Sequence, residues 1–391
     1  MIRGLNSGKL NSGEKAFEGL RMLISNLQWC PTIGQAWRNG SKAVFTTLYY
    51  GCLLGLLAQN AVAVDMCWTP SELRFRPGEE SVAQGTENAL VAVPEAPAQP
   101  LYNSTYEWHG VLRRVDLPPG KKAIALTFDL CEQPHEVAGY QGDLVDYLRN
   151  NNVRATFFAG GKWLLTHPER AKQLMSDATF EIENHSWEHR NLRLLSGAAL
   201  RSEILLPQLA YNKNRDDLVN RQCLDRFGHG FAGDLIPMGM SLFRFPFGAC
   251  DARSLYAVES LGLRAIQWDV SSGDPWVGET SDKMLQGVIK GVRPGSIVLF
   301  HANGRGWHTS KAIPAIVSRL REQGYEFATV SELLRTPGAK PVTSESCYDL
   351  KPGDTDKYDE LARRLDKKHA AIIAALKAQK AATQGSPVHA K

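Results

Sequence analysis

The chain has 391 residues, of which 43% are hydrophobic, 22% charged and 9% aromatic; these values suit a globular protein and exclude wholesale disorder, collagen-like repeats and a multi-span transporter. At roughly 150 residues per domain the length allows two or three domains, or one large α/β domain with extensions. Its 45 Lys and Arg against 41 Asp and Glu leave a net charge of +4, too little at this size to point to a nucleic-acid partner.

Residues 43–58 read AVFTTLYYGCLLGLLA, an uncharged run preceded by Arg38 and Lys42 and followed by Ala61-Val62-Ala63. The run is shorter than the roughly 20 residues a bilayer span requires. With its basic flank and small-x-small site it predicts a signal peptide within residues 1–63, cleaved after Ala63. The leader before it is long for such a signal, and an uncleaved membrane anchor through residues 43–58 is the alternative. Either version places the protein in an exported, periplasmic or secreted location. Residues 64–110, with Pro70, Pro77, Pro94, Pro97 and Pro100, predict a linker or a loosely packed N-terminal arm. The 7 cysteines contain no C-x-x-C pair, which argues against a zinc ribbon or a thioredoxin-like site. Cys67 with Cys347 and Cys223 with Cys250 are candidate disulfides, and the sequence does not choose among pairings.

From Lys121 onward, β-rich runs alternate with helical stretches. Strands are expected at 123–129, 153–160, 179–185, 242–246, 264–270, 296–301 and 325–330, and helices at 142–151, 169–175, 198–209, 252–261, 281–289 and 311–322. Such alternation implies parallel strands joined by right-handed crossovers. Asp129, His185, Arg244, Asp274 and His301 each fall at or just past the end of a different strand, where a closed barrel gathers catalytic groups on one face. A distorted (β/α) barrel of about seven parallel strands over residues 111–336 is therefore favoured over an open doubly wound sheet. Residues 213–240, rich in Gly, read as an inserted loop. Residues 337–391 read as a polar linker followed by a basic amphipathic helix with Leu361, Leu365, Ile372, Ile373 and Leu376 on one stripe. That stripe is expected to pack on the chain's own barrel, on a second copy, or on an anionic surface.

The segment ENHSWEH sets His185 and His189 four residues apart at a strand end. If Ser186 opens a helix, the two imidazoles point the same way and can share one ion. LTFD at 126–129, RFPFG at 244–248, GDPW at 273–276 and VLFH at 298–301 follow the same strand-end logic. Together and in this order, the five segments resemble the NodB-homology polysaccharide deacetylases, carbohydrate esterase family 4, over residues 111–335. The resemblance implies a hydrolase that removes N-acetyl groups from the amino sugars of a polysaccharide: peptidoglycan, a chitin-like oligomer or an exopolysaccharide. It implies that His185 and His189 hold Zn2+ or another divalent first-row ion, with positions left open for a water and the acetamide oxygen. By the same resemblance Asp129 is the general base and Arg244 keeps it ionised, while His301 is the general acid and Asp274 orients and charges it. Each also has a plain structural reading: a helix cap for Asp129, an ion-pair partner for Arg244, an Asp-Pro turn for Asp274, a satisfied core ring for His301.

The chain departs from the family pattern at Leu130, where a second aspartate normally completes the metal ligands. Three repairs are open: a water, Glu132 or His135 reaching in from the loop, or Asp129 ligating as well as acting as base, with water or Glu132 preferred. Cys131 ranks lower, because an exported thiol beside a metal is prone to oxidation. The same departure supports a second reading, a catalytically degenerate carbohydrate-binding protein that keeps the fold. A third is a related amidase acting on a small or cyclic amide. Trp187, Phe247, Trp276 and Trp307 lie close to the motifs, placed either to stack on sugar rings or to pack the core.

Overall fold

The computed structural model describes residues 67–95 except 87 and 89, and residues 106–225, 236–347 and 358–384. The expected signal or anchor in residues 1–63 lies outside the described residues. Among the described residues, no helix is long and apolar enough to cross a membrane.

The strands are β1 (Ala83–Gln84), β2 (Val111–Asp116), β3 (Ala123–Leu130), β4 (Glu136–Val137), β5 (Ala155–Ala159), β6 (Phe180–Asn184), β7 (Leu242–Phe243), β8 (Arg264–Ile266), β9 (Val270–Ser271), β10 (Ile297–His301), β11 (Glu326–Phe327) and β12 (Lys340–Ser344). The main sheet runs β12-β2-β8-β7-β6-β5-β3-β10-β9, with β11 beside β3. Every pairing from β2 to β9 is parallel, and only β12 runs antiparallel, along β2. Every residue of β3 and β5 is buried, as expected for parallel strands covered on both faces, which read as near-continuous apolar runs rather than alternating ones.

The connection from β8 to β9 explains why the sheet closes. β8 pairs with β2 near one end of the sheet and β9 forms the other end, yet only residues 267–269 join them. A chain reaches at most about 3.6 Å per residue, so the sheet must curl until its ends approach. The amide of Gln267 donates to Leu112 O on β2 (2.8 Å) and that of Asp269 to Ile297 O on β10 (3.3 Å), so this segment stitches the two edges together. The single strand expected at 264–270 is therefore broken in two. Val115 N also donates to Gly295 O (3.0 Å). A Cβ at position 295, where φ is +84°, would run into the Val115 carbonyl, so glycine permits this close approach. The result is the distorted barrel, with helices α2 (Gly142–Asn150), α3 (Gly161–Thr166), α4 (Pro168–Met175), α5 (Gly197–Val219), α6 (Ala252–Ser260), α7 (Ser281–Gly291) and α8 (Thr309–Glu322) among its connections. The short helix α1 (Pro70–Leu73) precedes them, and α9 (Val330–Arg335) and α10 (Asp359–Gln384) follow.

Four expectations need correction. The described part of the N-terminal arm is not a loose linker. Arg170, buried on α4, forks onto the Glu79 carboxylate (2.7 Å) and donates to the carbonyls of Leu73 and Arg74 (3.0 and 2.8 Å), while β1 pairs with β4. The residues after Pro337 are not all linker either, since β12 extends the sheet along β2. The cysteines pair as Cys67 with Cys223 and Cys250 with Cys347, so one disulfide ties the arm to the residues after α5 and the other ties the chain beyond β12 to the loop after β7. Cys131 is the free cysteine among the described residues and is buried. The expected loop at 213–240 begins later, because α5 continues to Val219 through Pro207.

Helix α10 lies on the chain's own barrel. Asp359 accepts from Arg193 Nε (3.1 Å) and from Asn191 Nδ2 (2.9 Å), Asp366 pairs with Arg190 (3.1 Å), and the His369 ring stacks on His135 at 4.4 Å. Of the expected apolar stripe, Leu376 is buried and Leu361 is exposed.

Candidate functional site

The carboxyl ends of β3, β6, β7 and β10 meet at one mouth. Asp129 and His301 are register partners on the adjacent strands β3 and β10, which sets their backbones about 4.8 Å apart. Arg244 follows β7, and its amide donates to Asn184 O at the end of β6 (2.8 Å). Its fully buried guanidinium donates to Asp129 Oδ1 and to Thr127 Oγ1, both at 2.8 Å, and to Gln267 O at 3.3 Å, with the Phe158 ring 3.9 Å from its centre. Burial alone would raise the Asp129 carboxyl; the positive charge facing it, above all the Arg244 guanidinium, outweighs burial and holds Asp129 below the ordinary aspartate range.

His185 comes off the end of β6 and is buried. Its Nδ1 lies 2.9 Å from Arg244 O and its Nε2 lies 3.4 Å from Asp129 Oδ2. A carbonyl only accepts, so Nδ1 carries the proton and Nε2 presents its lone pair to the mouth. The residues after His185 do not begin a helix. Ser186 and His189 both adopt left-handed backbone, with φ of 63° and 59°. The resulting turn is pinned by Asn184 Oδ1, which accepts from Ser186 N (2.9 Å), and by Glu203 Oε2, which accepts from Trp187 N and Glu188 N (3.1 and 3.2 Å). The turn folds His189 back so that its ring centre lies 5.1 Å from that of His185. Both His185 Nε2 and His189 Nδ1 are buried without a hydrogen-bond partner. Buried polar atoms are rarely left unsatisfied, and a converging pair of orphaned imidazole nitrogens fits a cation.

Across the mouth, His301 Nδ1 pairs with Asp274 Oδ1 at 2.8 Å. Asp274 Oδ2 accepts from His301 N and from Thr309 Oγ1, both at 2.7 Å. Asp274 is fully buried and its own amide is held by Ser272 Oγ (3.2 Å), so Pro275 does not displace the carboxylate from the imidazole. Burial lowers the His301 pKa, but the Asp274 carboxylate raises it by more, and the net shift is upward.

The loop after β3 decides which residues reach the ion site. Glu132 turns away: its Oε2 accepts from Ala138 N (3.0 Å) and Thr166 Oγ1 (2.8 Å), and burial pushes its carboxyl up to about 7. His135 stacks on His369 instead of joining the pair. Leu130 is fully buried in the core. A sulfur and nitrogens of Cys131, His185 and His189 lie within 4.8 Å of one another, the one such potential metal-binding group among the described residues. Asn303 donates from Nδ2 to both Cys131 O (2.8 Å) and Cys131 Sγ (3.1 Å). Sequence reasoning places Cys131 low among the candidates and does not reach Asn303 or Thr309. The available signal was the two-residue spacing from Asp129, which on a strand puts both side chains on one face.

Of the four aromatics, Trp187 is core. Phe247 packs on His189 at 4.6 Å, while Trp276 and Trp307 are exposed beside the Asp274 loop. A cleft of about 610 Å3 between α7 and α8, near Leu285 and Arg319, lies outside this mouth and is lined by none of the candidate catalytic groups.

A family profile described as polysaccharide deacetylase matches residues 116–220. The peptidoglycan-N-acetylglucosamine deacetylase PgdA of Listeria monocytogenes is 30% identical over 56% of this chain, which spans 40% of that protein's length. The chitooligosaccharide deacetylase of Azorhizobium caulinodans is 28% identical over 46% of this chain and 74% of its own. A solved carbohydrate esterase family 4 pseudoenzyme from Bacillus anthracis is 25% identical, with a TM-score of 0.45 over 59% of this chain and 70% of that one. The strand-end motifs, the closed parallel sheet and the match to residues 116–220 agree: this part of the chain is similar to polysaccharide deacetylases of the NodB-homology type.

Proposed function

We propose that the protein is an exported, metal-dependent hydrolase that removes N-acetyl groups from the amino sugars of a polysaccharide. The observation that carries this reading is the convergence, at one mouth, of the orphaned His185 and His189 nitrogens, the Asp129–Arg244 pair and the His301–Asp274 pair. His185 and His189 would hold the ion; when bound, a divalent cation supplies a Lewis acid for the acetamide oxygen and lowers the pKa of water. Asp129, kept ionised, takes a proton from the attacking water as oxygen bonds to the acyl carbon. As the carbon–nitrogen bond breaks, protonated His301 gives its proton to the departing amine, leaving acetate and a free amino sugar. Trp276 and Trp307 offer exposed faces for sugar rings. The two disulfides support an oxidising, extracytoplasmic location. The relatives' names point to N-acetylglucosamine-containing glycans, either peptidoglycan or chitin-like oligomers.

Acetate release from N-acetylglucosamine oligomers is expected to cease on chelation and return with zinc; release that survives chelation and complete metal removal would refute the mechanism. The core position of Leu130 keeps a binding-only reading in view, and tight oligosaccharide binding by metal-replete protein with no acetate released would favour it. The His301–Asp274 pair also predicts a pH profile. Because His301 titrates above its ordinary value, the alkaline limb of kcat, where the acid loses its proton, lies above the ordinary histidine range. Asp274→Asn removes the charge that raises it, so the limb moves to lower pH; an unmoved limb in a variant that is still active would show that His301 is not the acid.

A further inference from the structure

We propose that the third protein ligand to the metal is the Cys131 thiolate, so that the centre is a Cys/His/His site in place of one completed by a second aspartate. The inference rests on the reading of His185 and His189 as ligands and deepens it.

The pleat of β3 supplies the geometry. β3 runs through Leu130, and successive side chains on a strand face opposite ways. Asp129 faces the mouth, Leu130 enters the core, and Cys131 returns to the Asp129 side. The anionic donor expected next to Asp129 is thus displaced by one residue onto the face where the ion would sit. Of the competing protein donors, none joins the Cys131, His185 and His189 group. Glu132 is bonded to Ala138 N and Thr166 Oγ1, His135 is stacked under α10, and Asp129 Oδ1 is occupied by Arg244. Cys131 is free while the other described cysteines are paired, and at 5% exposure it is sheltered from the oxidation that counts against an exported thiol.

Two further features fit a metal thiolate. The first is the donor behind it: Asn303 is fully buried and places its amide nitrogen 3.1 Å from Sγ and 2.8 Å from the Cys131 carbonyl. It fixes the sulfur much as the carbonyl of Arg244 fixes His185 through Nδ1. The second is charge. One thiolate and two neutral imidazoles carry the same formal charge as one carboxylate and two imidazoles, so the exchange preserves the electrostatics around Asp129 while softening the donor set. A soft sulfur donor favours zinc over the hard, oxygen-seeking ions.

The test uses full-length protein with its disulfides intact, freed of metal by chelator and titrated with Co(II) without oxygen. Wild type is expected to bind one equivalent and to develop a thiolate-to-cobalt charge-transfer band in the near ultraviolet. X-ray absorption of the zinc form is expected to show one sulfur at about 2.3 Å. Cys131→Ser should lose the band. Its zinc affinity should fall by no less than the roughly 10–100-fold that follows loss of a partner behind a ligand. Should Cys131→Ser fail to fold, judged by its far-ultraviolet circular dichroism, the wild-type spectra decide alone. One equivalent of cobalt bound with no charge-transfer band, or a zinc shell without sulfur, overturns the thiolate and leaves the histidine pair standing. Wild type that binds no metal, or His185→Ala that binds it as tightly as wild type, overturns the histidine reading and the thiolate with it.

Discussion

Asp129→Asn is expected to lower kcat by about 10²–10⁴-fold, the contribution of a positioned general base, while the metal content of the purified protein stays unchanged. The carboxylate is poised by its surroundings. It is nearly fully buried, yet Arg244 at 2.8 Å holds it ionised where an isolated buried carboxyl would be protonated. Asparagine keeps the shape and the acceptor oxygen that faces Arg244 but cannot take a proton from water. Metal analysis beside steady-state kinetics separates the two ways activity can fall: lost metal with lost rate would make Asp129 a ligand, and a rate within tenfold of wild type would remove it from the mechanism.

Arg244→Met is expected to destabilise the fold by about 3–5 kcal/mol, the cost of leaving a buried charge without its partner, and to abolish turnover. The guanidinium serves Thr127, Asp129 and Gln267 at once while lying on the Phe158 face. Lysine, a point charge without the planar fork, cannot satisfy all of these, so Arg244→Lys should recover little. The double change of Arg244→Met with Asp129→Leu removes both charges together and is expected to regain much of the lost stability but none of the activity. Denaturant unfolding of the single and double variants measures this. Equal destabilisation in both would mean that the shape of the arginine, and not its charge, holds the strand ends.

The catalytic candidates were legible because parallel strands leave a simple signature. An apolar run ending in one polar residue, repeated in order, marks Asp129, Arg244 and His301, and the structure sets them around one mouth. The local shape of the histidine turn was not legible. A four-residue spacing suggests a helix, whereas Ser186 and His189 adopt left-handed backbone held by Glu203, a residue remote from the motif. The docked arm and β12 were hidden for another reason. Their Pro-rich and polar composition carries no periodicity, and what orders them is tertiary: the Arg170 fork, the antiparallel pairing with β2 and the two disulfides. At Leu130 the departure from the family pattern was visible, but its remedy depended on which face each residue after Asp129 takes.

Helix α10 closes one lip of the mouth, where Leu365 and Asp366 meet Arg190 and Phe247 around a residual space of about 10 Å3, scarcely one water and far less than a sugar. Its tether makes that closure hard to compete with. Only residues 348–357 separate Tyr358 from Cys347, which is bound to Cys250, so a helix that lets go remains at a local concentration on the order of millimolar. A glycan laid across both lips therefore competes with an intramolecular occupant, whereas the approach past Trp276 and Trp307 is open among the described residues.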